Sequence, residues 1–251
     1  MFRKTAFVLA LLGGLLLMLP PVQAAPKLVI DQPEFDFGYV PQNSHVSHRF
    51  VLRSAGEDSL RIIKVVPGCG CTRTPLEKND LAAGESTDLE VIFNTGHYTS
   101  RVTKRPKIES TDEDKFDNIV FYANVVRRPD STRPIIIKPY KLDISQFGEK
   151  VRDEMKFTVT NLSDQPVSVK VIDLPEDFFE VSLPGSIAAG KSAEGTLKLR
   201  DKGLPMSFEK SFTLECNDAD ASRFTVPVKR TVQNPEGFTK PVSATEKGKA
   251  N

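Results

Sequence analysis

Leu81-Ala82-Ala83-Gly84-Glu85-Ser86 returns as Ile187-Ala188-Ala189-Gly190-Lys191-Ser192, 106 residues further on (81 to 187). At nearly the same shift Arg49-Phe50-Val51-Leu52 corresponds to Lys156-Phe157-Thr158-Val159. Glu109-Ser110-Thr111-Asp112 likewise corresponds to Glu215-Cys216-Asn217-Asp218. Landmarks in the same order at a near-constant spacing mean one unit used twice. The first copy is read as residues 27–126 and the second as 135–232. Between them Arg127-Arg128-Pro129-Asp130-Ser131-Thr132-Arg133-Pro134 reads as a short linker, polar and punctuated by proline.

Within each copy the apolar period is two. Val46, His48, Phe50 and Leu52 alternate with Ser47, Arg49 and Arg53, and Leu89, Val91 and Phe93 with Asp88 and Glu90. Met155, Phe157, Val159, then Val167, Val169, Val171, then Phe224, Val226, Val228 repeat the pattern, and Phe179, Val181, Leu183 add a strand. Such alternation predicts strands with one face buried and one wet. Turn clusters fall between them at Ala55-Gly56-Glu57-Asp58, Ala83-Gly84-Glu85, Leu162-Ser163-Asp164-Gln165-Pro166 and Ala189-Gly190-Lys191. After the first two dozen residues no stretch carries a helical stripe. The expected fold is all-β: two tandem immunoglobulin-like antiparallel β-sandwiches, each held by apolar packing without an inter-sheet disulfide.

Arg3 and Lys4 precede an apolar run from Ala6 to Met18, and Val22-Gln23-Ala24 offers a small-residue cleavage site. Residues 1–24 therefore read as a secretory signal peptide. The run is shorter than the ~20 residues a membrane span needs, so a retained anchor is the rival reading. The expected address is periplasmic or secreted, with no membrane span in the mature chain. Lys and Arg number 34 against 33 Asp and Glu, a net charge of +1. That balance gives no field to draw nucleic acid or an anionic membrane, and Arg101, Lys104, Arg105 and Lys107 read as a solvated strand face. Residues 233–251 are polar and too poor in apolar groups to offset ordering entropy, so a disordered tail is expected.

The chemistry concentrates in Pro67-Gly68-Cys69-Gly70-Cys71-Thr72, which holds two of the three cysteines. Gly68 and Gly70 give the loop turn freedom that a Cβ would forbid, and Thr72 closes it. Cys69 and Cys71 are open to three functional roles: a redox-active pair, a soft-metal chelate of two thiolates, or a covalent staple of the turn. Free thiols without a role are the fourth possibility. Leu174-Pro175-Glu176-Asp177-Phe178 stands at the equivalent place in the second copy, without cysteine, so the unit closes without the pair. His97, in Thr95-Gly96-His97-Tyr98, is the weak third metal ligand beside Cys69 and Cys71. His45 and His48 lie three apart on one strand and point to opposite faces. His48 is in phase with the apolar residues, as a buried or rim histidine. Cys216 shares its phase with Phe212 and Leu214, so it is expected to be a packed thiol. Asp112-Glu113-Asp114 read as solvated turn residues. Nucleophile elbows, phosphate-binding glycine loops and zinc-protease helices do not occur, so no enzyme and no cofactor are expected.

Phe35-Asp36-Phe37-Gly38-Tyr39-Val40, His48-Arg49-Phe50-Val51-Leu52, Cys69-Gly70-Cys71-Thr72 and Ala83-Gly84-Glu85-Ser86 together resemble a bacterial family, the domain of unknown function 1573. Its marks are a Phe-Gly strand, a Cys-Gly-Cys-Thr loop and a Pro-Gly-Glu-type turn, the last with alanine for proline here. The resemblance spans roughly residues 28–126 and implies a module similar to those of the Hydin and major sperm protein group, in exported proteins, with no established activity. The expected function is an exported, non-enzymatic binding or scaffold protein of the cell envelope, acting on an envelope protein partner through sandwich edges and loops. The alternative is a thiol-redox or copper-handling protein centred on Cys69 and Cys71.

Overall fold

A computed structural model describes residues 25–114, 116–148 and 150–233. The expected signal peptide, and the tail beyond residue 233, lie outside the described residues. The tail was expected to begin at 233, but Gln233 is the second residue of the last strand.

The described chain is all-β, with a single 3-10 turn at Pro129–Ser131. The strands of the first half are β1 Leu28–Ile30, β2 Glu34–Pro41, β3 His45–Ser54, β4 Leu60–Val66, β5 Thr72–Arg73 and β6 Asp80–Leu81. They continue with β7 Ser86–Asn94, β8 Ser100–Lys104, β9 Lys107–Ser110, β10 Phe116–Asn118 and β11 Val120–Val126. The second half holds β12 Ile135–Lys138, β13 Leu142–Asp143, β14 Gln146–Phe147, β15 Glu154–Asn161, β16 Val167–Asp173 and β17 Phe179–Ser182. It ends with β18 Ser186–Ile187, β19 Ser192–Leu199, β20 Phe208–Cys216, β21 Arg223–Arg230 and β22 Val232–Gln233. No described helix is long and apolar enough to cross a membrane.

The repeat in the sequence returns as a repeat in pairing. The sheet β1-β3-β7-β5 has its counterpart in β12-β15-β19-β17. Leu28 opposite Ser54 becomes Ile135 opposite Asn161, and Thr72 opposite Phe93 becomes Phe179 opposite Leu199. In the facing layer Leu60 opposite Leu81 becomes Val167 opposite Ile187, and Ile62 opposite Ser110 becomes Val169 opposite Cys216. Each half packs its inward residues into its own core. One gathers Phe37, Phe50, Leu89, Phe93 and Phe121, the other Ile135, Phe157, Phe179, Leu197 and Phe212. Several sheets result, none closed into a barrel.

The copies differ where a proline intervenes. In the second half β20 is one long strand pairing with both β16 and β21. In the first half the same stretch is split: β8 pairs with β11, while β9 pairs with β4. Arg105-Pro106 stands at the break, and a proline in a central strand removes the ladder N–H. As a result β8 ends its sheet, with no further strand beside it among the described residues.

The halves also share a sheet. β2 lies parallel to β21, with Tyr39 opposite Phe224, so one sheet runs β18-β16-β20-β21-β2-β11-β8. The continuity does not pass through residues 127–134, where the 3-10 turn stands. Contact between the halves corrects the expectation that Ser47, and the face of β21 opposite Phe224, Val226 and Val228, are wet. Ser47, Ser211, Thr213 and Thr225 are all buried. Ser211 Oγ donates to the Ser47 carbonyl at 3.0 Å and accepts the Ser47 N–H at 2.9 Å. Thr225 Oγ1 donates to the Phe37 carbonyl at 2.6 Å. Small hydroxyl residues let two backbones approach while satisfying each other's polar groups.

Candidate functional site

β4 ends at Val66, and Pro67–Cys71 carries the chain across to β5 in the opposite layer. Gly68 has φ +80°, the left-handed region where glycine is favoured. Gly70 does not: its φ is not positive, and a Cβ there would meet no atom within 4 Å. Of the two glycines, Gly68 alone adopts a backbone conformation that favours glycine. The Thr72 N–H donates to the Cys69 carbonyl at 3.4 Å, and the Asn94 N–H to the Cys71 carbonyl at 2.8 Å, tying the loop to β7.

Cys69 and Cys71 are joined by a disulfide, S–S 1.98 Å, on this partly exposed loop. Their sulfurs sit in different surroundings. Cys71 packs against the core of the first half, and the Tyr98 hydroxyl donates toward its Sγ at 3.7 Å. Lys104 Nζ in turn donates to the Tyr98 hydroxyl at 3.0 Å and lies 4.7 Å from the centre of that ring. The Thr72 hydroxyl is 3.4 Å from Cys69 Sγ and 3.8 Å from Cys71 Sγ. Hydroxyl and ammonium groups therefore gather on the Cys71 side. The pair is a covalent bond with the Thr72 hydroxyl beside both sulfurs and the Tyr98 hydroxyl beside Cys71, an arrangement suited to thiol–disulfide exchange.

His97, the third ligand of the metal reading, stands in the loop between β7 and β8. Its carbonyl accepts from Gln42 Nε2 at 3.1 Å. Among the described residues no three His, Cys, Asp or Glu side chains gather as a metal cluster would. Tyr98 and Lys104 are the residues that sequence reasoning missed at this site. In sequence the loop containing Tyr98 draws the eye only to its histidine. Lys104 reads as part of a solvated face, because the turn that brings β7 back to β8 is not legible in spacing.

That basic face is patterned. Arg101 lies 4.9 Å from the Tyr122 ring centre and Lys107 3.6 Å from that of Phe116, and Lys104 covers Tyr98. These three of its four cations stand over aromatic rings along β8 and β9, where such contacts contribute about 0.5–1 kcal/mol apiece when exposed. Tyr98 and Phe116 are themselves exposed.

The remaining candidates belong to the framework. His48 stacks on Phe35 with ring centres 3.7 Å apart, and its Nδ1 lies 3.1 Å from Asp173 Oδ2 without hydrogen-bond alignment. His45 Nδ1 is 3.0 Å from Glu209 Oε1. Both histidines therefore border the junction of the halves. Cys216 is buried, and burial, with Asp218 and Glu215 nearby, pushes its thiol up to about 12. Asp112, expected as a solvated turn residue, is buried instead. Its Oδ2 accepts the Leu28 N–H at 2.7 Å and lies 3.3 Å from Lys27 Nζ, anchoring β1.

Residues 28–125 match the family described as "Protein of unknown function (DUF1573)", which covers the half that carries the disulfide loop. No curated protein matches the chain. Similar solved structures include a protein of unknown function from Porphyromonas gingivalis W83, 15% identical, covering 81% of this chain and 98% of that one, TM-score 0.34. A PapD-like domain of human CEP192 is 7% identical over 41% of this chain and 88% of that one, TM-score 0.34. The YadV chaperone is 10% identical over 80% and 98%, TM-score 0.32.

Proposed function

A family match without an assigned activity names no reaction, and we propose that the chain is an exported, two-module binding or scaffold protein of the cell envelope, built from tandem immunoglobulin-like sandwiches and not an enzyme. Export is supported by the charged start, the apolar run and the small-residue site within residues 1–24. Two modules are supported by the matched strand pairings and by separate cores over residues 28–125 and 135–228.

The observation that carries the binding reading is the free edge of β8. A terminal strand presents unpaired N–H and C=O groups, and an extended partner segment can add to it. Cations and exposed aromatics flank that edge, so a partner strand carrying acidic and apolar side chains in alternation fits it. Photocrosslinkers placed at Thr103 on β8, and as a control at Lys198 on β19, test the reading in cells. A discrete adduct from Thr103 alone, lost when Arg105 and Lys107 are changed to glutamate, is expected. Adducts of equal yield from both positions, or none from Thr103, overturn it.

A further inference from the structure

We infer that Cys69–Cys71 is an exchangeable disulfide that oxidises protein dithiols, with Cys69 the sulfur attacked and Cys71 the leaving thiolate. This is independent of whether β8 takes a partner strand. Three observations carry it. The bond lies on a partly exposed loop. The second half closes the equivalent loop with Phe178 in the place of Cys71, so the fold does not depend on a bond there. The two sulfurs are unlike: the Thr72 hydroxyl lies beside both, but Cys71 also packs against the core and receives the Tyr98 hydroxyl, itself held by the Lys104 ammonium, whereas among the described residues Cys69 Sγ is hydrogen-bonded by Thr72 alone.

Exchange runs fastest when the leaving sulfur is stabilised as a thiolate. An incoming partner thiolate forms a bond to Cys69 Sγ as the Cys69–Cys71 bond breaks. The electron pair goes to Cys71 Sγ, which is met by O–H donors with a cation behind them. The partner's second thiolate then attacks its own sulfur in the mixed disulfide and releases Cys69. The partner gains a disulfide, and the pair takes up two electrons and, on protonation of the two thiolates, two protons. No metal or external oxidant enters the step.

The test uses the full oxidised chain with two probes, reduced glutathione and a Cys-x-x-Cys peptide dithiol. Brief reaction with glutathione followed by acid quenching and peptide mapping is expected to place the adduct on Cys69. The peptide is expected to be oxidised one for one, with two new thiols on the protein. Tyr98→Phe and Lys104→Gln are each expected to slow exchange on the order of tenfold, the first by removing a donor to the leaving sulfur and the second by removing the cation behind that donor. Their thermal unfolding should be unchanged, which separates this role from a structural one. Arg61→Gln, on a distant exposed site, should exchange at the parent rate. Adducts shared equally between the sulfurs, no peptide oxidation, or unchanged rates in Tyr98→Phe and Lys104→Gln would each overturn the assignment.

Discussion

Cys71 and Phe178 hold the same position in the two halves. The carbonyl of Cys71 accepts the Asn94 N–H at 2.8 Å, and that of Phe178 accepts the Arg200 N–H at 2.9 Å. Phe178 is buried in its core, while Cys71 packs at the margin of its own. A ring fills in one half what sulfur fills in the other.

The double change Cys69→Ser, Cys71→Ser is therefore expected to leave the fold intact and to cost no more than about 2 kcal/mol. A loop this short restricts the unfolded chain little. Urea unfolding measures it. A loss of stability large enough to unfold the first half would show that the bond is structural.

Gly38 marks where the halves meet most closely. Its φ is +63°, and a Cβ there would sit 2.1 Å from the Arg223 carbonyl oxygen. Gly38→Ala is expected to destabilise by more than about 2 kcal/mol, since backbone must give way on both sides. Gly70→Ala, in open space, should stay within about 0.5 kcal/mol. Equal effects of the two changes would contradict the geometry of the junction.

Lys210 in β20 reaches both carboxylate oxygens of Glu90 in β7, at 2.6 and 2.8 Å, and its side chain is only 10% exposed. A double-mutant cycle with Lys210→Met and Glu90→Gln is expected to give a coupling of about 1 kcal/mol or more. A coupling near 0.2 kcal/mol would mark an ordinary surface pair.

Asp112 sets an acid limit on stability. Burial works to raise its pKa, but the Leu28 and Asp114 N–H groups and the Lys27 ammonium outweigh it and hold it below the usual carboxylate range. With the folded value depressed, its contribution is complete above the unfolded value of about 4 and is lost as pH falls through the folded one. Asp112→Asn should flatten this part of a stability–pH curve. An unchanged slope in the variant would assign the acid limit to other groups.

Arg230 is 1% exposed and makes its hydrogen bonds to the carbonyls of Leu204, Ile144 and Arg152 and to Gln146 Oε1. Arg230→Met leaves those acceptors without donors, and about 3 kcal/mol or more is expected to be lost. Denaturant unfolding checks it, and a change below 1 kcal/mol would mean that water replaces the guanidinium.

The sequence by itself determined the strand class, the repeated strand order and the loop on which two cysteines lie close together. Period-two runs such as Leu89, Val91 and Phe93 can bury one face only as strands, and a shift of 106–107 residues fixes which strands correspond. It also placed Cys216 on a buried face, because phase along a strand is local. Tertiary structure alone decided three things. The contact of β3 with β20 covers Ser47 and Ser211, and that of β2 with β21 covers Thr225, residues whose neighbours across the junction no strand pattern shows. The break at Pro106 leaves β8 as an edge, which is visible only once the partner strands are known. The approach of Tyr98 and Lys104 to Cys71 joins residues from three segments, and separation along the chain carries no record of proximity in space. Local periodicity is set by backbone geometry, whereas the company a side chain keeps is set by how the sheets pack.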